Sequence, residues 1–167
     1  MNKQKAIFLD RDGVINKNRD DYVKSVDEFE IFEGVGELIK KLKESGFLVV
    51  IVTNQSAINR RLTTMDNIKQ VHKMLNNYLK EFETEVDGIY ICPHRPDENC
   101  SCRKPKTGLF IQAIKELGIV PEKSWMIGDR ETDIQAGQKI GCQCKKVDSK
   151  NSLEDIVNII ICKSSLQ

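Results

Sequence analysis

The sequence has no apolar run approaching the length of a membrane span and no excess of charge of one sign. Lys plus Arg number 26 and Asp plus Glu 25. That balance gives no support to a dedicated binder of nucleic acid or of a membrane surface. Met1-Asn2-Lys3-Gln4-Lys5 leads into a short apolar stretch that stops at Asp10, so a secretory signal is not expected. The expected location is the cytoplasm. There the six cysteines are expected as thiols or metal ligands rather than disulfides. Internal repeats, low-complexity tracts and a dividing linker are also lacking. The expectation is one domain over residues 1–167, a monomer that buries about 70% of the surface its unfolded chain exposes.

Apolar runs alternate with helical patterns along the chain. Ala6 to Leu9, Phe47 to Val52, Gly88 to Cys92, Ser124 to Ile127 and Gln143 to Val147 read as strands, most of them continuous apolar runs as in a buried sheet. Leu38, Ile39 and Leu42 recur at helical spacing, with Gly46 placed to end that helix. Thr64–Phe82, Thr107–Leu117, Thr132–Ile140 and Ser152–Ile161 read as further helices, and residues 93–106 as a loop. This alternation predicts an α/β fold, a mostly parallel Rossmann-like sheet flanked by helices. In such a sheet the ligand lies beyond the carboxyl ends of the strands.

Those ends carry the chemistry. The first strand runs into Asp10-Arg11-Asp12-Gly13. Two carboxylates so close repel each other unless a cation lies between them, and an oxygen-rich site suits Mg²⁺. A pair of solvated turn aspartates would look the same. The fourth strand ends in Gly128-Asp129-Arg130, so Asp129 is a candidate third ligand. Asp133 reads either as part of that site or as an acid at a helix start, favoured by the macrodipole. The second strand ends in Thr53-Asn54-Gln55-Ser56, a hydroxyl and a turn that suit a phosphate oxygen.

A second constellation is Cys92-Pro93-His94 followed by Cys100-Ser101-Cys102. Three thiolates and an imidazole can close a tetrahedral Zn²⁺ site with no open position, which makes it structural. Arg103 and Lys104 follow at once, as cations for a phosphate or as balance for the thiolates. His72, the other histidine, is expected at a surface or boundary of its helix. Cys142, Cys144 and Cys162 are expected as small core or surface residues.

The stretches Phe8 to Asn16, Thr53 to Ser56, Cys92-Pro93-His94, Cys102 to Pro105 and Gly128-Asp129-Arg130 resemble the haloacid dehalogenase superfamily. They are similar to its zinc-containing branch of heptose 1,7-bisphosphate 7-phosphatases and histidinol-phosphate phosphatases. The resemblance spans about residues 6–141. It implies a cap-less domain with a zinc-binding loop that shapes the pocket. It implies Asp10 as nucleophile, Asp12 as general acid and base, and Thr53 and Lys104 against the transferring phosphoryl group. Mg²⁺ would be held by Asp10, the main-chain carbonyl of Asp12 and Asp129. Tyr22, Asn54, Gln55, Ser56, Arg103, Lys104 and Arg130 would contact substrate.

Of the substrates in that branch, a phosphorylated sugar, the heptose bisphosphate, is the first choice. Tyr22-Val23 and Asp87-Gly88-Ile89-Tyr90 favour it. Histidinol phosphate is the alternative, and a zinc-stabilised binding protein without catalysis a remote one. Ala57 and Arg61 stand where the heptose enzymes usually have glycine.

Overall fold

A computed structural model describes residues 3–164; Met1 and Asn2, used in the reading of the N-terminus, lie outside them. Five strands form one sheet: β1 (Lys5–Leu9), β2 (Phe47–Asn54), β3 (Gly88–Cys92), β4 (Trp125–Gly128) and β5 (Gln143–Lys146). Their order is β3-β2-β1-β4-β5, and every pairing is parallel. Among the described residues five α-helices connect and follow them: α1 (Val35–Glu44), α2 (Met65–Lys80), α3 (Gly108–Leu117), α4 (Glu131–Lys139) and α5 (Leu153–Ser164).

The β1, β2 and β4 strands carry continuous apolar runs (Ala6 to Leu9, Phe47 to Val52 and Trp125 to Ile127) because both faces of the sheet are covered. Ile7, Leu9, Val49, Ile51 and Ile127 face one core, closed by Leu38, Ile39 and Leu42 of α1, Val71, Leu75 and Leu79 of α2, and Ile156, Val157 and Ile160 of α5. Ala6, Phe8, Val50, Val52 and Met126 face the other, with Phe110 and Ala113 of α3 and Ala136 of α4. Phe8 and Phe110 meet edge-on with ring centroids 5.1 Å apart.

All five predicted strands and all five predicted helices are present, with shifted ends. β2 runs two residues beyond Val52, because Thr53 and Asn54 still pair with Ile91 and Cys92. Thr64 is the N-cap of α2 and not part of it; its hydroxyl accepts from the Asn67 amide. Thr107 stands at the N-cap position of α3 without a side-chain capping bond, α4 starts one residue earlier than Thr132, and α5 continues to Ser164. Gly46, in the left-handed region at φ 79°, follows the end of α1 as expected. The 93–106 loop contains a single 3-10 turn, Pro96–Glu98. Among the described residues no cap domain is inserted between strands.

The strand order reverses at β1, so the crevice between the carboxyl ends of β1 and β4 is the expected ligand site. Asp10 and Asp129 each follow those strands directly. The Asp10 amide donates to the Ile127 carbonyl at 3.0 Å, carrying the β1–β4 pairing one residue past the strand and fixing where Asp10 begins.

Phe110 is fully buried between α3 and β1. Phe110→Ala is expected to cost about 3–5 kcal/mol of stability, read as a lowered urea midpoint; an unchanged midpoint would contradict this packing.

Candidate active site

A cleft of about 620 Å³ opens at this crevice. Asp10, Asp12, Tyr22, Asn54, Gln55, Ser56, Arg103, Lys104 and Arg130 all contribute to its lining, so the expected site residues converge there. Thr53 is fully buried just beneath it.

At the floor sits an ion triad. The Lys104 ammonium, 3% exposed, donates to Asp10 Oδ1 at 2.9 Å and to the Val52 carbonyl at 2.7 Å. It also lies 2.7 Å from Asp133 Oδ1. Burial alone would push this lysine's pKa down, but Asp10 and Asp133 overcome it and raise the value. Asp10 is pushed up to about 6, by burial first, with Lys104 pulling it down and Asp133 pushing it up. Asp133 also accepts from the Arg130 amide at 3.1 Å, so both readings of it hold: it caps α4 and it belongs to the site.

Asp10, Asp129 and Asp133 bring carboxylate oxygens within 4.8 Å of one another. Asp129 Oδ1 is buried with no hydrogen-bond partner. An all-oxygen set that includes a carboxylate with a buried, unpartnered oxygen fits a hard divalent cation such as Mg²⁺. Two glycines make room for the cluster. A Cβ at Gly13, where φ is 84°, would lie 2.3 Å from Asp129 Oδ2; a Cβ at Gly128 would lie 2.3 Å from the Asp133 side chain.

Asp12 faces elsewhere, and its carboxylate is outside that cluster. Arg11 Nη2 donates to both of its oxygens, at 2.9 and 3.0 Å; Asn16 donates to Oδ1 at 2.9 Å and Gln55 to Oδ2 at 2.7 Å. Burial pushes the Asp12 pKa up, but Arg11, Asn16 and Gln55 together hold it below the usual carboxylate range.

The sequence reading missed Arg11, Asn16 and the true place of His72. Arg11 is fully buried, and His72 is buried against it rather than at a surface or boundary. Gln55 lines the cleft and is also tied inward: its amide donates to Asp12 and Thr53 and accepts from Arg11, so it braces the interior as well. The Asn54 side chain clamps the main chain of Lys104, accepting from its amide at 3.1 Å and donating to its carbonyl at 3.3 Å.

Cys92, His94, Cys100 and Cys102 converge within the same 4.8 Å limit. Their ligand atoms lie 3.2–3.7 Å apart where measured, close to the separation of about 3.8 Å across a tetrahedral Zn–thiolate site. All six cysteines are free thiols, and among the described residues Cys142, Cys144 and Cys162 join no ligand cluster. Arg103 Nη1 donates to the His94 carbonyl at 3.0 Å, so the cysteine loop holds the arginine at the cleft.

A family model for haloacid dehalogenase-like hydrolases matches residues 4–141. The chain belongs to this family. Two Helicobacter pylori relatives named D-glycero-beta-D-manno-heptose-1,7-bisphosphate 7-phosphatase agree with it. One is 48% identical over 138 residues, covering 82% of this chain and 79% of the relative. The other is 44% identical over 161 residues, covering 96% and 92%. The crystal structure of the B. bronchiseptica D,D-heptose 1,7-bisphosphate phosphatase, complexed with magnesium and phosphate, superimposes with a TM-score of 0.89. It is 28% identical and covers 96% of this chain and 99% of that one. In this hydrolase Arg61 takes a left-handed φ of 60°, which accounts for a glycine being usual there; Ala57 is simply buried. Asp87 accepts from the Val49 amide at 2.7 Å, so it tethers β2 rather than facing the cleft.

About one zinc per chain is expected by metal analysis of protein purified without chelator, and Cys102→Ser should lose it and lower Tm. Zinc-free wild-type protein with an unchanged Tm would contradict the closed Cys/His site.

Proposed function

We propose that this hydrolase is a phosphatase that removes the 7-phosphate of D-glycero-β-D-manno-heptose 1,7-bisphosphate by way of an aspartyl-phosphate on Asp10. The observation that carries the reading is the Asp10–Lys104 contact at the floor of the cleft, beside an unpartnered Asp129 oxygen. The relatives' names support the substrate and its β configuration. Arg19, Arg60, Arg103 and Arg130 line the cleft and suit a substrate with a second phosphate.

The Asp10 carboxylate, the Asp12 main-chain carbonyl and Asp129 would hold Mg²⁺. When bound, the ion offsets the charge of Asp10 and of the phosphoryl oxygens. Zn²⁺ would sit on Cys92, His94, Cys100 and Cys102 and serve structure alone.

In the first half-reaction an Asp10 oxygen bonds to phosphorus, the bond to the sugar oxygen breaks, and that alkoxide takes a proton from Asp12. In the second, a water oxygen bonds to phosphorus and gives its proton to Asp12. The Asp10–phosphorus bond breaks, its electron pair returns to Asp10, and inorganic phosphate leaves. Lys104 and Thr53 bind the transferring group throughout. Asp12, held as a carboxylate by Arg11, Asn16 and Gln55, is ready for the second step; for the first it must carry a proton and loosen one of those contacts. Tyr22, Asn54, Gln55, Ser56, Arg103 and Arg130 contact the sugar or its second phosphate, and Gln55 also braces Asp12 from inside. On this reading the protein works in the cytoplasm as a single-domain monomer.

Asp10→Asn should lower kcat by at least about 1,000-fold with the fold intact. Across the two heptose bisphosphate anomers, histidinol phosphate and a 3′-phosphorylated oligonucleotide, the β anomer should have the highest kcat/KM. A clear preference for histidinol phosphate would overturn the substrate assignment.

A further inference from the structure

Arg11, the only fully buried arginine among the described residues, lies between two roles. One edge of its guanidinium grips both oxygens of Asp12. Its Nη1 meets His72 Nε2, on α2 and 61 residues away, at 3.2 Å. Arginine has donors and no acceptor, so the direction of this bond is settled: Nη1 donates and Nε2 accepts. The ring must therefore be neutral with its proton on Nδ1. Burial, and then the neighbouring Arg11 charge, push His72 down to about 3, consistent with a ring that stays neutral. The Arg11 side chain also donates from Nε to Asp12 Oδ1 at 3.3 Å and from Nη2 to Gln55 Oε1 at 3.2 Å, and lies over the Phe29 ring, 5.6 Å away.

Nothing in the half-reactions above uses His72. A helix can bury its apolar stripe without a histidine, and an imidazole beside a buried guanidinium costs desolvation of both. What the histidine supplies is an acceptor at one fixed point. With Nη1 pinned there, the planar guanidinium has one orientation in which its opposite edge can hold Asp12.

We infer that His72 is a positioning residue for the second half-reaction: through Arg11 it fixes Asp12 as the oriented carboxylate that takes the proton of the attacking water. This rests on the aspartyl-phosphate reading. The chemistry is unchanged, with the water proton going to Asp12 and the Asp10–phosphorus electron pair returning to Asp10.

The test separates the two half-reactions. An aryl phosphate loads Asp10 without needing a proton for its leaving phenolate, so formation of the phosphoenzyme does not depend on Asp12. Rapid-quench single turnovers then give formation and decay separately. In His72→Leu the decay should slow by about 10- to 100-fold while formation stays within about twofold of wild type. His72→Gln, whose Oε1 reaches the place of Nε2, should restore decay to within a few-fold. Formation and decay slowed alike in His72→Leu, or decay unchanged, would overturn the inference. A wild-type enzyme that forms no phosphoenzyme would instead sink the underlying reading. Should His72→Leu not fold, ¹⁵N NMR of the wild-type ring decides: a protonated Nδ1 with a bare Nε2 supports the inference, and a protonated Nε2 overturns it.

Discussion

Three carboxylates crowd the carboxyl edge of this sheet, and the Lys104 ammonium between two of them makes the arrangement possible. Two like charges about 4 Å apart repel by roughly 4 kcal/mol at an effective dielectric of 20. Asp10, Asp129 and Asp133 hold carboxylate oxygens within 4.8 Å of one another, with Asp10 and Asp133 buried. Lys104 bridges Asp10 and Asp133 and anchors itself on the Val52 carbonyl at the end of β2. The fold serves this contact. The crossover order sets β1 next to β4, Gly13 and Gly128 clear the space, and Asn54 fixes the main chain of Lys104. Lys104 arrives directly from the cysteine loop, two residues after Cys102, so the geometry of that loop is passed on to the floor of the cleft.

A second charge pair lies beside the first and is kept apart from it. Asp12 is only two residues from Asp10, yet it faces Arg11, Asn16 and Gln55 instead of the acid cluster. The two environments push the two carboxyls in opposite directions, Asp10 up and Asp12 down. Opposite environments for neighbouring carboxyls are how one site divides roles between them. Asp10 has burial and Asp133 against its charge, a debt that a divalent cation at Asp129 would settle. Asp12 has an arginine of its own.

Much of this could be read before any coordinates. Continuous apolar strands alternating with amphipathic helices specify a parallel sheet covered on both faces, and the acids at two strand ends mark the crevice between them. The spacing of Cys92, His94, Cys100 and Cys102 points to the cluster that forms. What escaped is polar and buried. The α2 pattern shows which side of the helix is apolar, but it does not say that His72 sits on that side against an arginine. Nothing local marks Arg11 as buried, because its burial depends on Gln55, just past β2, and His72 of α2, which no local window contains. Thr53 and Asn54 look like the start of a turn, yet ladder pairing with β3 keeps them in the strand. Gln55 reads as a ligand contact by its position in the motif; that it also braces Asp12 from inside could not be read there.

The central claim is that phosphate passes through a covalent bond to Asp10. Acid-quenched turnover mixtures treated with borohydride would reduce an aspartyl-phosphate to homoserine, and peptide mass spectrometry would locate it. Homoserine at position 10, absent when phosphate ester is omitted, is the predicted result. Turnover without any such conversion, or conversion at Asp12, Asp129 or Asp133 instead, would contradict it.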